Sequence, residues 1–260
     1  MSASFYVIDG RGLRATDAAR GPWSNEAQHG GPPSALLVRA LEVEMAAGGW
    51  ALLSRLTVEI LRPVPLAGLH TVHVDVQHAG RSAGRMRARL EVEGRTFIEA
   101  TALALAGRGL DPAPEGVDDP IPGPETVEPT VFPFFKAPDG YHTAVEQRPV
   151  MGEWGRTPTV TWMRPRVPLV AGESMSPTCR AVIGADSGNG LSPVVDWRTH
   201  GFVNPDLTVT LWRPPVGEWV AYEARTDVAP SGLGVARTRL RDIRGPLGYG
   251  LQTLLVHRVD

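Results

Sequence analysis

Leu56-Thr57-Val58-Glu59-Ile60-Leu61-Arg62-Pro63 returns 151 residues downstream as Leu207-Thr208-Val209-Thr210-Leu211-Trp212-Arg213-Pro214. After each copy the chain runs one programme: an alternating strand, a Gly turn, an arginine-rich alternating strand, a second Gly turn and a closing apolar strand. In the first copy Val72, Val74 and Val76 share a face, while Met86, Ala88, Leu90 and Val92 lie opposite Arg85, Arg87 and Arg89. In the second, Val220, Tyr222 and Ala224 alternate with charge, and Arg237, Arg239 and Arg241 repeat the arginine row as a solvated face. Strands that bury one side only make an antiparallel sheet with one wet and one covered face.

A helix ahead of each meander supplies the cover. Pro32 and Pro33 suit a first helical turn, Gly48-Gly49 ends the segment, and Leu36, Leu37, Val38, Leu41, Val43 and Met45 put apolar groups nearly all round it. The second copy has Ser176 as N-cap, Pro177 at the first helical position and Gly188 as the stop. A short strand, Phe5 to Ile8, precedes the first helix. The expected architecture is therefore α+β: two tandem domains, 1–107 and 141–260, each a long helix wrapped by an antiparallel sheet. Between them 108–140 carries Pro112, Pro114, Pro120, Pro122, Pro124, Pro129, Pro133 and Pro138 and reads as a semi-extended linker. Phe132, Phe134 and Phe135 at its end either dock on the second half or line an apolar ligand tunnel.

Composition narrows the partners. The chain has 260 residues, 42% apolar and 21% charged, and a net charge of −2, with Lys136 its single lysine. Disorder is excluded, and no basic field points at nucleic acid or anionic lipid. Cys179 stands alone, ruling out an internal disulfide or a multi-cysteine zinc site. The amino terminus shows no signal-peptide pattern and no window approaches a membrane span, so a soluble, cytoplasmic protein is expected.

Several residues stand out chemically. Asp186 follows the apolar run Ala181-Val182-Ile183-Gly184-Ala185 and must be partnered or have a raised pKa. Gln252 is a polar residue in the apolar strand Leu251 to Val256. Each also has a plainer reading, Asp186 as a helix-end cap and Gln252 as a sheet residue tied to a loop carbonyl. Gly80-Arg81-Ser82-Ala83-Gly84 fits a nucleophile elbow, but it joins two alternating strands and reads as a hairpin turn. His70, His73 and His78 suggest a metal until strand parity sets His73 on the opposite face, so no metal is expected. Trp197, Trp212 and Trp219 either shape a ligand pocket or fill core, and core is the better reading.

One helix wrapped by a curved sheet, occurring twice, resembles the double hotdog fold. His29-Gly30-Gly31 before the first helix is similar to the His-Gly-Gly of small hotdog thioesterases. Ala185-Asp186-Ser187, Asn204-Pro205-Asp206, Arg213-Pro214 and Gln252 resemble the acyl-CoA thioesterase II family. That resemblance implies an acyl-CoA thioesterase of fatty acid metabolism, needing no cofactor and assembling as a homo-oligomer, in which arginines beside the seam between halves could hold the coenzyme A phosphates, residue order not saying which. It makes Asp186 the base or orienter of the attacking water and Gln252 a second holder of that water. The third position, a hydroxyl residue in the family, falls on Asn204, with Thr208 as fallback. His29, Gly30 and Gly31 either form a helix-start turn or offer N–H groups to the thioester oxygen. The 151-residue offset puts Ala35 at the place of Asp186, alignment of Pro32 with Pro177 puts Leu41 there, and the offset puts Thr101 at that of Gln252, so one site per chain is expected, at the seam between halves. The competing functions are a non-catalytic acyl-CoA binder and a hotdog hydratase or dehydratase. The latter wants an Asp-His pair set for proton abstraction, and no such pairing is found near Asp186.

Overall fold

The computed structural model describes residues 3–110 and 119–259. The first half contains β1 (Tyr6–Asp9), β2 (Gly12–Ala15), α1 (Gly31–Gly48), β3 (Leu52–Ile60), β4 (His70–Ala79), β5 (Ala83–Val92) and β6 (Arg95–Leu105). The second contains α2 (Tyr141–Ala144), β7 (Val145–Met151), β8 (Thr159–Pro165), α3 (Pro177–Ala185), α4 (Gly188–Leu191), β9 (His200–Val203), β10 (Asp206–Leu211), β11 (Val220–Val228), β12 (Leu233–Asp242) and β13 (Gly245–Arg258).

All of these strands join one sheet in the order β1-β2-β4-β5-β6-β3-β10-β13-β12-β11-β8-β7, with β9 beside β13. Taken from each edge inward, β1-β2-β4-β5-β6-β3 and β7-β8-β11-β12-β13-β10 are the same series, so the repeat is a true structural duplication. The two octapeptide copies are the strands that meet. β3 pairs β10 antiparallel with Thr57 directly opposite Thr208, and the Thr208 hydroxyl donates to that of Thr57 at 3.2 Å. The pseudo-two-fold axis relating the halves therefore passes through the repeat.

The helices lie side by side inside the curved sheet. α1 begins at Gly31-Pro32-Pro33 and ends where Gly49 takes a left-handed conformation (φ 71°) that glycine adopts without steric cost. It is enclosed only over its first half, since Val43 is 66% exposed and residues 46–49 are exposed. α3 is capped by Ser176, whose hydroxyl accepts from the backbone N–H of Cys179. It stops at Asp186, earlier than the expected Gly188, and Gly188 instead opens α4. The second half's helix is thus short and broken, which leaves Asp186 and Ser187 at the break.

Several expectations need correction. A bulge between Val76 and His78 pairs His78 with Arg85, so His78 shares the outer face with His73, while His70 is buried and bonded to Gln28 and the carbonyls of Leu13 and Pro65. Arg241 is buried rather than solvated, 2.8 Å from Glu223 and donating to the Asp119 carbonyl. The Pro-rich segment is not a free spacer over its described part: Trp162 donates to Pro122 O, and Arg148 to Pro124 O and Val127 O. Prolines carry acceptors without donors, so side chains of the adjacent sheet satisfy them. Pro112 and Pro114 lie outside the described residues. Trp212 is half-exposed, and Trp219 packs against the guanidinium groups of Arg148 and Arg164 instead of the core. Gly80 to Gly84 is the β4–β5 hairpin turn, closed by Gly80 N–H donating to Ala83 O.

Candidate active site

Where α1 starts, it abuts the break after α3. The contact needs glycine, because a Cβ on Gly30 would lie 2.7 Å from Asp186 Oδ2 and one on Gly31 would lie 2.2 Å from Ile183 O. His29, Gly30 and Gly31 of the first half are thereby brought onto Asp186 of the second.

Asp186 is 6% exposed. Asn204 Nδ2 donates to its Oδ1 at 2.8 Å, Gln252 Nε2 reaches the same oxygen at 3.4 Å, and the amides of Gly30 and Gly31 also face the carboxylate. Burial pushes the Asp186 carboxyl up to about 7, against the pull of those four donors. His29 Nδ1 stands 3.1 Å from Asp186 Oδ2 and also accepts from Gly31 N–H. Burial holds the imidazole neutral, with its pKa lowered to about 3. The ring lies flat on Tyr141, centroids 3.7 Å apart, and the Tyr141 hydroxyl is fixed between Ile183 O and Ser187 Oγ. An Asp-His pair therefore does exist at the site, contrary to the sequence reading, because the two residues come from opposite halves.

A cavity of about 630 Å³ opens beside this group. Asp186 is the only carboxylate among its described lining residues, and His29, Gly30, Ser187 and Asn204 line it as well. Its walls are aromatic: Phe132, Phe134, Phe135, Trp23, Tyr141 and Phe202. Trp23 stacks on Phe134 at 5.8 Å and meets Phe202 edge-on at 4.8 Å. The phenylalanine cluster thus docks on the second half and lines the cavity at once.

The remaining sequence candidates fall elsewhere. Gln252 stands behind Asp186, outside the cavity lining, with Nε2 donating to Asp186 O at 3.0 Å and Oε1 accepting from Asn189 N–H. Thr208 faces Thr57 on the outer side of the sheet. The Gly30 and Gly31 amides face Asp186 rather than standing free for a substrate oxygen. A carboxylate of the first half does meet the start of α3: Ser176 Oγ donates to Glu42 at 2.9 Å. Glu42 does not line the cavity. Trp23, Tyr141 and Phe202 were missed because nothing periodic marks them; Trp23 sits six residues before His29 in Pro22-Trp23-Ser24-Asn25, an irregular stretch. Among the described residues no cluster of three or more His, Cys, Asp or Glu is arranged to hold a metal ion, and no helix is long and apolar enough to cross a membrane.

One curved sheet closing round two paired helices is an architecture shared with solved structures along nearly the whole chain. A candidate thioesterase of Novosphingobium aromaticivorans is 20% identical, with 96% of this chain and 98% of that one covered and a TM-score of 0.72. For a candidate thioesterase II of Thermobifida fusca the values are 18%, 98%, 96% and 0.75. A conserved protein of unknown function with a hot dog fold from Alicyclobacillus acidocaldarius gives 18%, 99%, 97% and 0.73. The chain is thus a double hotdog protein. No curated protein matches it. Residues 111–256 match the acyl-CoA thioesterase C-terminal domain and 19–106 the corresponding N-terminal domain, so the chain belongs to the acyl-CoA thioesterase family.

Proposed function

We propose that the chain hydrolyses an acyl-CoA thioester to the free acid and CoA, with Asp186 activating the attacking water. The observation that carries this reading is a single buried carboxylate in the wall of an apolar cavity, held by amide donors and tuned to titrate near neutrality. Ionised Asp186 takes a proton from water as its oxygen attacks the thioester carbonyl. Collapse of the tetrahedral oxyanion then expels the thiolate, which leaves without a strong general acid because a thiol has a pKa of about 8.5. Asn204 positions the carboxylate from the cavity side and Gln252 from behind it. The acyl group lies among Trp23, Phe132, Phe134 and Phe202.

A second reading is favoured by one observation, the His29–Asp186 pair, which is the pairing that proton abstraction by an acyl-CoA hydratase or dehydratase uses. Incubation with short, medium, long and aromatic acyl-CoAs and a thiol-reactive dye separates the readings. Released thiol abolished in Asp186→Asn supports hydrolysis, an altered acyl chain without thiol supports hydration, and thermal stabilisation alone means a binder. Self-association belongs to the same reading: Tyr249, Leu251, Leu255 and Trp212 are each about half exposed, and sedimentation of the purified chain tests it.

A further inference from the structure

The octapeptide repeat ends in Arg-Pro twice, and its two arginines have different fates. Arg213 is locked in place: its two terminal nitrogens reach both oxygens of the fully buried Asp242 carboxylate, and one also donates to Gly245 O at 2.7 Å. Asp242 further accepts from the backbone N–H groups of Val216 and Arg244. This is a structural clasp.

At the equivalent positions of the first half stand Arg62 and Val92, since Val92 pairs with Arg95 as Asp242 pairs with Gly245, and with no carboxylate there the clasp is not formed. The adjacent Glu91 is taken by Arg89 at 2.7 Å and by His73 at 3.4 Å. Where the second half has Leu247, the first has Phe97, since Leu61 N–H donates to Phe97 O as Trp212 N–H does to Leu247 O, and the Arg62 guanidinium rests over that ring at 5.6 Å. Among the described residues Arg62 makes no ion pair and no hydrogen bond, and it is the only arginine among them that lines the cavity holding Asp186. It shares the rim with the exposed His257, Val203 and Val259.

We infer that Arg62, released from the clasp its twin keeps, binds a phosphate of the coenzyme A moiety. This rests on the hydrolytic reading above and names the residue that anchors the nucleotide end of the substrate. A guanidinium supported on a ring face and free of internal acceptors keeps all its donors for a phosphate. The pantetheine arm then runs from the rim inward, bringing the thioester to Asp186 and the acyl group to the aromatic wall. A carboxylate at the far end of the acyl group would offer the same chemistry, and the substrates chosen below distinguish it.

Binding of free CoA by isothermal titration and hydrolysis of matched thioesters are measured for the wild type, Arg62→Gln and Arg62→Lys. Arg62→Gln should weaken CoA binding and raise KM for acyl-CoA about ten-fold, the worth of one charge-assisted hydrogen bond, with Arg62→Lys in between. Turnover of the same acyl group on N-acetylcysteamine, which lacks phosphates, should not change, and the rise of wild-type KM with salt should flatten in the variant. Equal CoA affinity in wild type and Arg62→Gln, equal losses on both thioesters, or a loss confined to dicarboxylic acyl groups would each overturn the assignment. Wild type that binds CoA through Arg62 but hydrolyses no thioester would instead sink the hydrolytic reading and leave the phosphate site standing.

Discussion

His29 and Asp186 belong to opposite halves of a duplicated chain and meet with Nδ1 3.1 Å from Oδ2, the imidazole kept neutral and the carboxyl raised by the same burial. In the unfolded chain near pH 5 the histidine carries the proton and the aspartate does not; folding reverses this. Moving one proton from His29 to Asp186 leaves the total bound nearly constant, so the site's contribution to pH-dependent stability is hidden in the wild type.

Single substitutions should expose it. Asp186 has a folded pKa of about 7 against its ordinary 3.8, so the folded state holds the extra proton and stability is lost as pH rises between those values. His29 has a folded pKa of about 3 against 6.5, so the unfolded state holds the proton and stability is lost as pH falls through that window. Chemical denaturation from pH 4 to 8 should show Asp186→Asn more stable than wild type at pH 8, by on the order of 4 kcal/mol. Its stability should decline toward pH 4, whereas that of His29→Gln should rise. Parallel pH curves for all three proteins would refute the account.

Activity should follow the ionised carboxylate. The acid limb of kcat/KM is expected near pH 7, with hydrolysis falling below it, and Asp186→Asn should lose roughly 10²- to 10⁴-fold. Stopped assays of thiol release across pH 5 to 9 measure both.

Asn204 stabilises the charged form of Asp186 through a 2.8 Å bond, so Asn204→Ala should move that limb to higher pH. Gln252→Leu should do the same and also loosen the α3–α4 break, since its amide holds Asp186 O and Asn189 N–H. Thr208→Val should leave the profile where it is, because that hydroxyl faces Thr57 on the outer surface. A limb that stays put in Asn204→Ala would show that this bond does not tune the acid.

The two glycines should separate chemistry from packing. In Gly30→Ala the new methyl meets Asp186 Oδ2, a movable side chain, so activity should drop by about 100-fold or more while Tm changes little. In Gly31→Ala it meets the Ile183 carbonyl at 2.2 Å, and helix α3 itself must shift, costing about 2 kcal/mol or more. Thermal unfolding beside kinetics distinguishes them.

The duplication, the alternating strands and the helix starts at Pro32 and Pro177 were legible in the sequence, because period-2 patterning, proline and capping residues act within a few positions. Asp186 was legible for a similar reason: a charge after five small or apolar helix residues must be buried, and burial demands a partner or a shifted pKa. What the sequence left open depended on how the halves are set about their common axis. Only the tertiary structure brought His29 to Asp186, turned Gln252 to the back of the carboxylate, set Glu42 under Ser176 and made the Pro-rich segment's phenylalanines a cavity wall. It alone separated Arg62 from Arg213, identical within their repeats, because strand pairing sets Val92 in the first half where Asp242 stands in the second. Such choices are made by distances across the fold, which residue order does not carry.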